Sequence, residues 1–397
     1  GALPFIISGS IPHPIDAIFE TVSGFTTTGA SILSDVEALS HCMLIWRSFT
    51  HWIGGMGVLV FILCLLPLTG GYHMNLMKAE SPGPSVSKLV PKVQSTAKIL
   101  YTIYIILTVV EIIFLLIGKM PLFDTLCLSF GTAGTGGFGI KNDSIASYST
   151  YNQVVITVFM ILFGINFNAY YLLLTKKVMQ AAKNEEVRYY LGIIGLAIVA
   201  IAINTREMFT SFGRAFQQAA FQVGSIITTT GYATTDFNVW PVFSKTILVI
   251  LMFVGACAGS TGGGIKVSRL LILCKSARKE LQLYLHPNAV KKIKMDDKAI
   301  PHEVVRATNM FLFVYIMIFL ISLLIISLDN LDMVSNFTAI AATLNNIGPG
   351  LGAVGPTGNF NTYSYISKGV MIFDMLAGRL EVFPLLLLFK RDTWRKF

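Results

Sequence analysis

Apolar residues run through this chain in long blocks separated by short polar connections. A helix that crosses a bilayer needs about 20 predominantly apolar residues. Stretches of that kind recur at 41–68, 98–118, 151–175, 188–204, 239–284, 304–328 and 364–390, the fifth of them interrupted. Seven spans are therefore predicted. Their connections alternate between two kinds. Segments 70–98, 176–188, 266–306 and 390–397 hold 22 of the 30 lysines and arginines, whereas the others are short, rich in Gly and Thr and nearly free of basic residues. Positive loops stay in the cytoplasm, so the basic segments are assigned inside and the Gly/Thr-rich ones outside.

The outward connections repeat one design. Each opens on a short amphipathic stretch led by an acid or a helix starter: Ile15 to Phe19, Pro121 to Asp124, Thr210 to Phe221, and Leu331 to Met333. Each then reaches a small polar cluster, SGFTTTGAS (23–31), GTAGTGGFG (131–139), SIITTTGYATTD (225–236) and LNNIGPGLG (344–352). Aligned, they place Gly29, Gly137, Gly231 and Gly348 in register at intervals of 108, 94 and 117 residues. The unit is span, short half-helix, glycine turn, span. Four units predict eight spans. The missing one is expected before Gly1, so the chain reads as a fragment whose first repeat is truncated. The repeats are placed at 1–69, 70–178, 179–302 and 303–397.

Composition supports a membrane protein and sets the charge in context. Apolar residues make up 54% and charged residues 13%, with a mean hydropathy of +0.67, against about 25% charged in a soluble domain. The net charge of +9 is a topology signal, since it resides in the inward loops, and a nucleic-acid partner is not expected. Cys42, Cys64, Cys127, Cys257 and Cys274 form no CxxC pair and read as buried free thiols. Enzyme motifs fail on inspection. Gly134, Gly136 and Gly139 satisfy GxGxxG without a preceding strand, Ile265 separates the glycines of GGGIKVS from Lys266, and neither GxSxG nor HExxH occurs. The chain is not expected to be an enzyme or to carry an organic cofactor.

Non-helical backbone is tolerated at membrane depth only where it is buried in protein or lines a water-filled cavity. Four turns converging on one axis meet that condition, and their carbonyls can then replace the hydration shell of a cation. Glycine at the registered position permits positive φ. Thr26, Thr27, Thr28, Thr228, Thr229 and Thr230 add neutral oxygens suited to a monovalent ion. Nearby acids (Asp35, Glu37, Asp143, Asp236) are expected to concentrate cations at the outer mouth. A repeat-built transporter with broken helices and alternating access is the competing reading, but like-oriented repeats favour a pore.

The fifth span is interrupted by GACAGSTGGG at 255–264. Each interior glycine costs a helix about 1 kcal/mol, so this stretch is predicted to unwind, deep enough to cross a pore; close helix packing is the plainer alternative. Arg379 lies in an apolar span, where a charge is costly and usually functional, unless it pairs with Asp374 or Glu381. Glu111, Asn166 and Asn168 read as hydrogen-bonding links between helices.

These motifs together resemble a known family. SGFTTTGAS, WRSFTHWIGGMGV (46–58), TAGTGGFG, TTTGYATTDFNVWP (228–241), AGSTGGGIKVSRL (258–270), LHPNAV (285–290), NNIGPGLGAVGPTGNF (345–360) and GRLEVFP (378–384) are similar to the membrane subunit of bacterial Trk-type potassium uptake systems, within the Trk/Ktr/HKT superfamily. The resemblance implies an all-α polytopic protein of four M1-P-M2 repeats in pseudo-fourfold arrangement around one pore, resident in the bacterial inner membrane. It also implies K+ as the transported ion, a homodimer, and a cytoplasmic Trk A-like regulatory subunit that alone binds nucleotide. Carried over, the selectivity filter comprises Thr27, Thr28, Gly29, Thr135, Gly136, Gly137, Thr229, Thr230, Gly231, Asn346, Ile347 and Gly348. K+ would meet the carbonyls of Thr28, Gly136, Thr230 and Ile347. Glycine at all four registered positions resembles the K+-preferring members, since serine in the first loop marks the sodium-selective plant relatives. The gate would comprise Gly255, Gly259, Ser260, Thr261, Gly262, Gly263, Gly264 and Arg379.

Overall fold

The computed structural model describes residues 1–57, 93–288, 292–380 and 382–387. Cys64, the end of the first span, most of the basic segment 70–98 and the basic tail 390–397 lie outside those residues. The described chain is helical. Its helices are α1 (Leu3–Ile7), α2 (Pro14–Phe25), α3 (His41–Gly55), α4 (Val93–Ile117), α5 (Leu122–Gly134), α6 (Thr150–Phe163), α7 (Phe167–Leu174), α8 (Val178–Ala182), α9 (Glu185–Thr205), α10 (Phe212–Ile227), α11 (Val242–Val254), α12 (Val267–Leu285), α13 (His302–Ile326), α14 (Met333–Leu344), α15 (Tyr365–Arg379) and α16 (Val382–Leu387).

Three stretches are long and apolar enough to cross a membrane unbroken: 97–117, 185–208 and 302–329. Each precedes one of the half-helices α5, α10 and α14. The segments that follow the turns, α3, α6, α11 and α15, have 15, 14, 13 and 15 residues. At 1.5 Å per residue α6 and α11 are some 20 Å long, short of a full crossing, while the runs 41–68 and 364–390 extend outside the described residues. Among the runs predicted as unbroken spans, 151–175 needs correction. The block 151–175 is two helices, α6 and α7, bent by 90°. Gly164 ends the first, and the Asn166 side chain caps the second by accepting the Asn168 N–H at 2.9 Å. Gly164 and Asn166 stand in an otherwise apolar run, so the averaged hydropathy carries across a real break. The break at 255–266 is the predicted one.

The half-helices start where their sequences say. Pro14 stands in the first turn of α2, Pro121 caps α5, and Ser211 and Asp332 cap α10 and α14 by accepting the N–H groups of Arg214 and Ser335. A departure from all-α is a two-stranded hairpin, β1 (Lys294–Met295) and β2 (Lys298–Ala299). Asp296 and Asp297 turn it with φ of 49° and 62°, the positive-φ pair a two-residue hairpin requires. Of the described cysteines, Cys127 and Cys257 are buried but Cys42 and Cys274 are exposed. Large apolar side chains such as Leu196, Val199, Ile203, Phe313, Leu320 and Leu324 are exposed on the long helices, as lipid-facing positions should be.

Candidate functional site: four glycine turns and a glycine loop

Each half-helix ends in the same backbone geometry. Thr27, Thr135, Thr229 and Asn346 take φ of 55°, 54°, 60° and 54°, and two residues later Gly29, Gly137, Gly231 and Gly348 take 78°, 77°, 83° and 97°. Positive φ at a residue bearing a Cβ costs roughly 1–2 kcal/mol, so something must hold it. The residue between supplies the hold. The N–H groups of Thr28, Gly136, Thr230 and Ile347 donate to the carbonyls of Ser23, Gly131, Ser225 and Ala342, at 2.8 Å in every case. All twelve predicted residues are thus paired up as four copies of one turn.

The turns also meet each other. A Cβ added to Gly29 would stand 2.0 Å from Gly136 O, one on Gly137 1.9 Å from Thr230 O, one on Gly231 2.0 Å from Ile347 O, and one on Gly348 2.7 Å from Thr28 O. The contacts run from the first turn to the second, third and fourth and back to the first, closing a ring. Glycine is needed here twice over, for φ and for this approach. A cavity of about 200 Å³ opens on the four glycines. Its walls include Arg47 and Lys141, while Asp35, Glu37 and Asp143 stand next to the wall residues Val36, Asn142 and Ser144. Asp35 accepts Asn142 Nδ2 at 2.8 Å and Glu37 accepts the Asn142 N–H at 3.0 Å. The first of these bonds holds the Asp35 carboxyl below its usual range. Asp236 caps a short turn through the Asn238 N–H.

Beneath the ring lies the predicted loop. Gly255, Gly259 and Gly264 take φ of 71°, 67° and 77°, and Lys266 takes 82°. The loop lies against the other broken helix: Cys257 N–H donates to Gly164 O at 3.1 Å, Thr261 Oγ1 to Phe163 O at 3.2 Å, and Phe167 N–H to Gly259 O at 2.9 Å. Ser260 Oγ turns back onto Cys257 O at 2.6 Å. Arg379 is buried at the end of α15. Its guanidinium donates to Thr261 O at 2.7 Å, Gly54 O at 2.5 Å and Gly55 O at 2.7 Å, joining the loop to the end of α3. Asp374, offered as its ion-pair partner, instead accepts the Ser322 hydroxyl at 2.7 Å; Glu381 lies outside the described residues. Glu111 is buried, but its carboxyl oxygens meet no hydrogen-bond donor among the described residues, so it is not the hydrogen-bonding link expected. The nearby Thr132 hydroxyl is given to Leu128 O.

A chain of this length closing four glycine turns into one ring has counterparts. A family model described as TrkH, cation transport protein, matches residues 1–395. The chain belongs to the TrkH family. Among its relatives, the Trk system potassium uptake protein TrkH of Salmonella typhimurium is 39% identical, with all of this chain and 83% of that protein covered. The Trk system potassium uptake protein TrkG of Escherichia coli K12 is 34% identical, with 96% and 79% covered. The crystal structure of the potassium transporter TrkH from Vibrio parahaemolyticus superposes with a TM-score of 0.87 at 35% identity, over 100% of this chain and 82% of that one. Membership in a transport family agrees with the expectation that the chain is not an enzyme.

Around the TrkH-family turns stand residues that sequence reading passed over. Glu186, 3% exposed, accepts the Ala258 N–H at 2.6 Å and the Ser268 N–H at 3.1 Å, one on each limb of the loop, and Asn166 Nδ2 at 3.4 Å. Lys266 is buried with its Nζ on Gly262 O. His51 stands behind the second turn, with Nδ1 2.8 Å from Gly24 O and Nε2 accepting the Phe138 N–H at 3.3 Å. Those partners put its proton on Nδ1. Arg47 and Glu20 form a buried ion pair at 2.8 Å. An intramembrane charge is a findable signal. Glu186 escaped it by sitting beside Lys183 and Arg188, where it looked like part of a solvated helix end.

Proposed function

We propose that this chain carries K+ across the bacterial cell membrane through the ring of glycine turns, with the turns facing outside. The observation that carries the reading is the closed ring, in which the carbonyls of Thr28, Gly136, Thr230 and Ile347 each face the registered glycine of the neighbouring turn. Positive φ at two positions separated by one residue aims successive carbonyls to one side, so the twelve residues can line a path with neutral oxygens. Such oxygens compensate a monovalent ion for its lost water without trapping it. Each half-helix ends at its turn, placing the negative end of its dipole beside the ion. The potassium uptake named for the relatives supports the choice of ion.

The repeats 1–69, 70–178, 179–302 and 303–397 would then surround one pore in pseudo-fourfold arrangement. Gly255 to Gly264 together with Arg379 would form the closed barrier: the loop sits under the ring, and the guanidinium adds a fixed positive charge that repels cations. A homodimer and a cytoplasmic nucleotide-binding regulatory subunit complete the proposal, with the nucleotide on that subunit only. The test is K+ or radioactive rubidium flux into liposomes carrying the protein, with Na+ as competitor, for wild type and Gly231→Ser. Selective flux impaired by the substitution is expected. Saturable flux indifferent to it would point to alternating access instead.

A further inference from the structure

Thr27, Thr135, Thr229 and Asn346 occupy equivalent places at the foot of the four turns, all buried and all at positive φ. Their side chains have different partners. The Thr27 hydroxyl has none among the described residues. The Thr135 hydroxyl donates to the adjacent Gly134 O at 2.6 Å, and Asn346 Nδ2 donates to Thr28 Oγ1 and Met375 O, both at 2.9 Å. Among the bonds of these four side chains, the one that reaches the glycine loop belongs to Thr229, whose Oγ1 accepts the Gly263 N–H at 2.6 Å. On either side of that bond the loop abuts turn carbonyls. A Cβ on Gly262 would stand 2.8 Å from Thr228 O and one on Gly263 2.6 Å from Asn345 O. The Gly263 N–H is enclosed between the third and fourth turns, where an unpaired donor would carry the full cost of its lost hydration.

We infer that this hydrogen bond couples the glycine loop to the ring. Thr229 is a positioning residue for both: an atom of the ion-selecting turn holds the loop in its seat, and withdrawal of the loop frees that atom and alters the ring's ion preference. The inference rests on the reading of the ring as filter and the loop as barrier. The physical ground is that Thr229 is a β-branched residue at φ 60°, a conformation that persists only where its surroundings hold it. Its own N–H is bound to Ile226 O at 3.1 Å, and its side chain is bound by the loop. Departure of the loop removes the second restraint. Coupling of this kind is reciprocal, so a change that loosens the turn must also loosen the loop.

Two substitutions separate the hydroxyl from the side chain's bulk. Thr229→Val removes the acceptor and keeps the shape; Thr229→Ser keeps the acceptor. In liposomes without any regulatory subunit, Thr229→Val should raise rubidium flux about fivefold, the factor carried by a hydrogen bond of typical net strength, and lower the K+ over Na+ preference. Thr229→Ser, which keeps the acceptor, should shift both in the same direction but by clearly less than Thr229→Val does. Gly263→Ala, which displaces the loop directly, should raise flux too, and the double variant should exceed neither single by more than the error. Valine without effect on flux, valine altering preference alone, or serine as disruptive as valine would each overturn the coupling. Hydrogen exchange over 255–264 reads the loop's seat without any need for conduction. Faster exchange in Thr229→Val than in Thr229→Ser is expected, and equal exchange in the two would overturn the coupling. Should the wild-type chain pass no selective flux while the exchange difference persists, the filter reading fails and the link between turn and loop stands.

Discussion

At the scale of single residues, the site is built by groups that have little choice of conformation or partner. Gly29, Gly137, Gly231 and Gly348 were legible because they fall in register across the four clusters and glycine takes positive φ freely; their close approach to a neighbouring carbonyl was not. Arg379 was legible because a guanidinium in an apolar span has to be explained; what it binds was not. Its Nη1 donates to Thr261 O and its Nη2 to Gly54 O and Gly55 O, a planar fork that lysine cannot reproduce. Arg379→Ala is expected to raise flux in the absence of a regulatory subunit by about tenfold or more, since hydrogen bonds from a charged donor contribute about 1.5–3 kcal/mol each. Arg379→Lys should recover only part of the closure. Flux in the alanine variant no higher than wild type would remove Arg379 from the barrier.

At the scale of elements, the half-helix stretches read at Ile15, Pro121, Thr210 and Leu331 lie within two residues of the caps and first turns that Pro14, Pro121, Ser211 and Asp332 supply, because capping is local chemistry. Helix breaks were readable only where glycine was dense. Five glycines in ten residues announced the loop at 255–264, whereas one glycine and one asparagine at 164–166 did not announce the 90° bend against which that loop rests. Glu186 joins the two breaks through Asn166, Ala258 and Ser268. Glu186→Ala strands two buried N–H donors, so a loss of about 2–4 kcal/mol of stability is expected, read as a lower unfolding temperature in detergent, with faster hydrogen exchange across 255–268. Glu186→Gln retains an acceptor oxygen and should lose less. A stable alanine variant with unchanged exchange would show that the loop holds its seat without this carboxyl.

At the scale of the molecule, distant segments are fastened together by polar contacts. Arg47 of α3 bonds Glu20 of α2 and, 92 residues along the chain, donates to Gly139 O beyond the second turn at 3.2 Å, while Glu20 also accepts the Ser31 hydroxyl and the Ile32 N–H. Breaking a buried ion pair from one side leaves an uncompensated charge, at a cost of about 3–5 kcal/mol. Glu20→Ala and Arg47→Ala should therefore each destabilise strongly, and the double substitution should cost well under their sum, as measured by thermal unfolding of all three variants. Additive losses would mean the pair is not a unit. The sequence by itself determined the membrane class, the recurrence of half-helix and glycine turn, and the place of the glycine loop, because hydropathy, capping and glycine's freedom at positive φ act within a few residues. Only the tertiary structure decided that the four turns close in order into one ring, that Asp35 and Glu37 bind Asn142 of the cavity wall, and that Arg379, Glu186 and Thr229 all hold the same loop. Those contacts join residues dozens to hundreds apart, and a local pattern shows which groups seek a partner without showing where the partner lies.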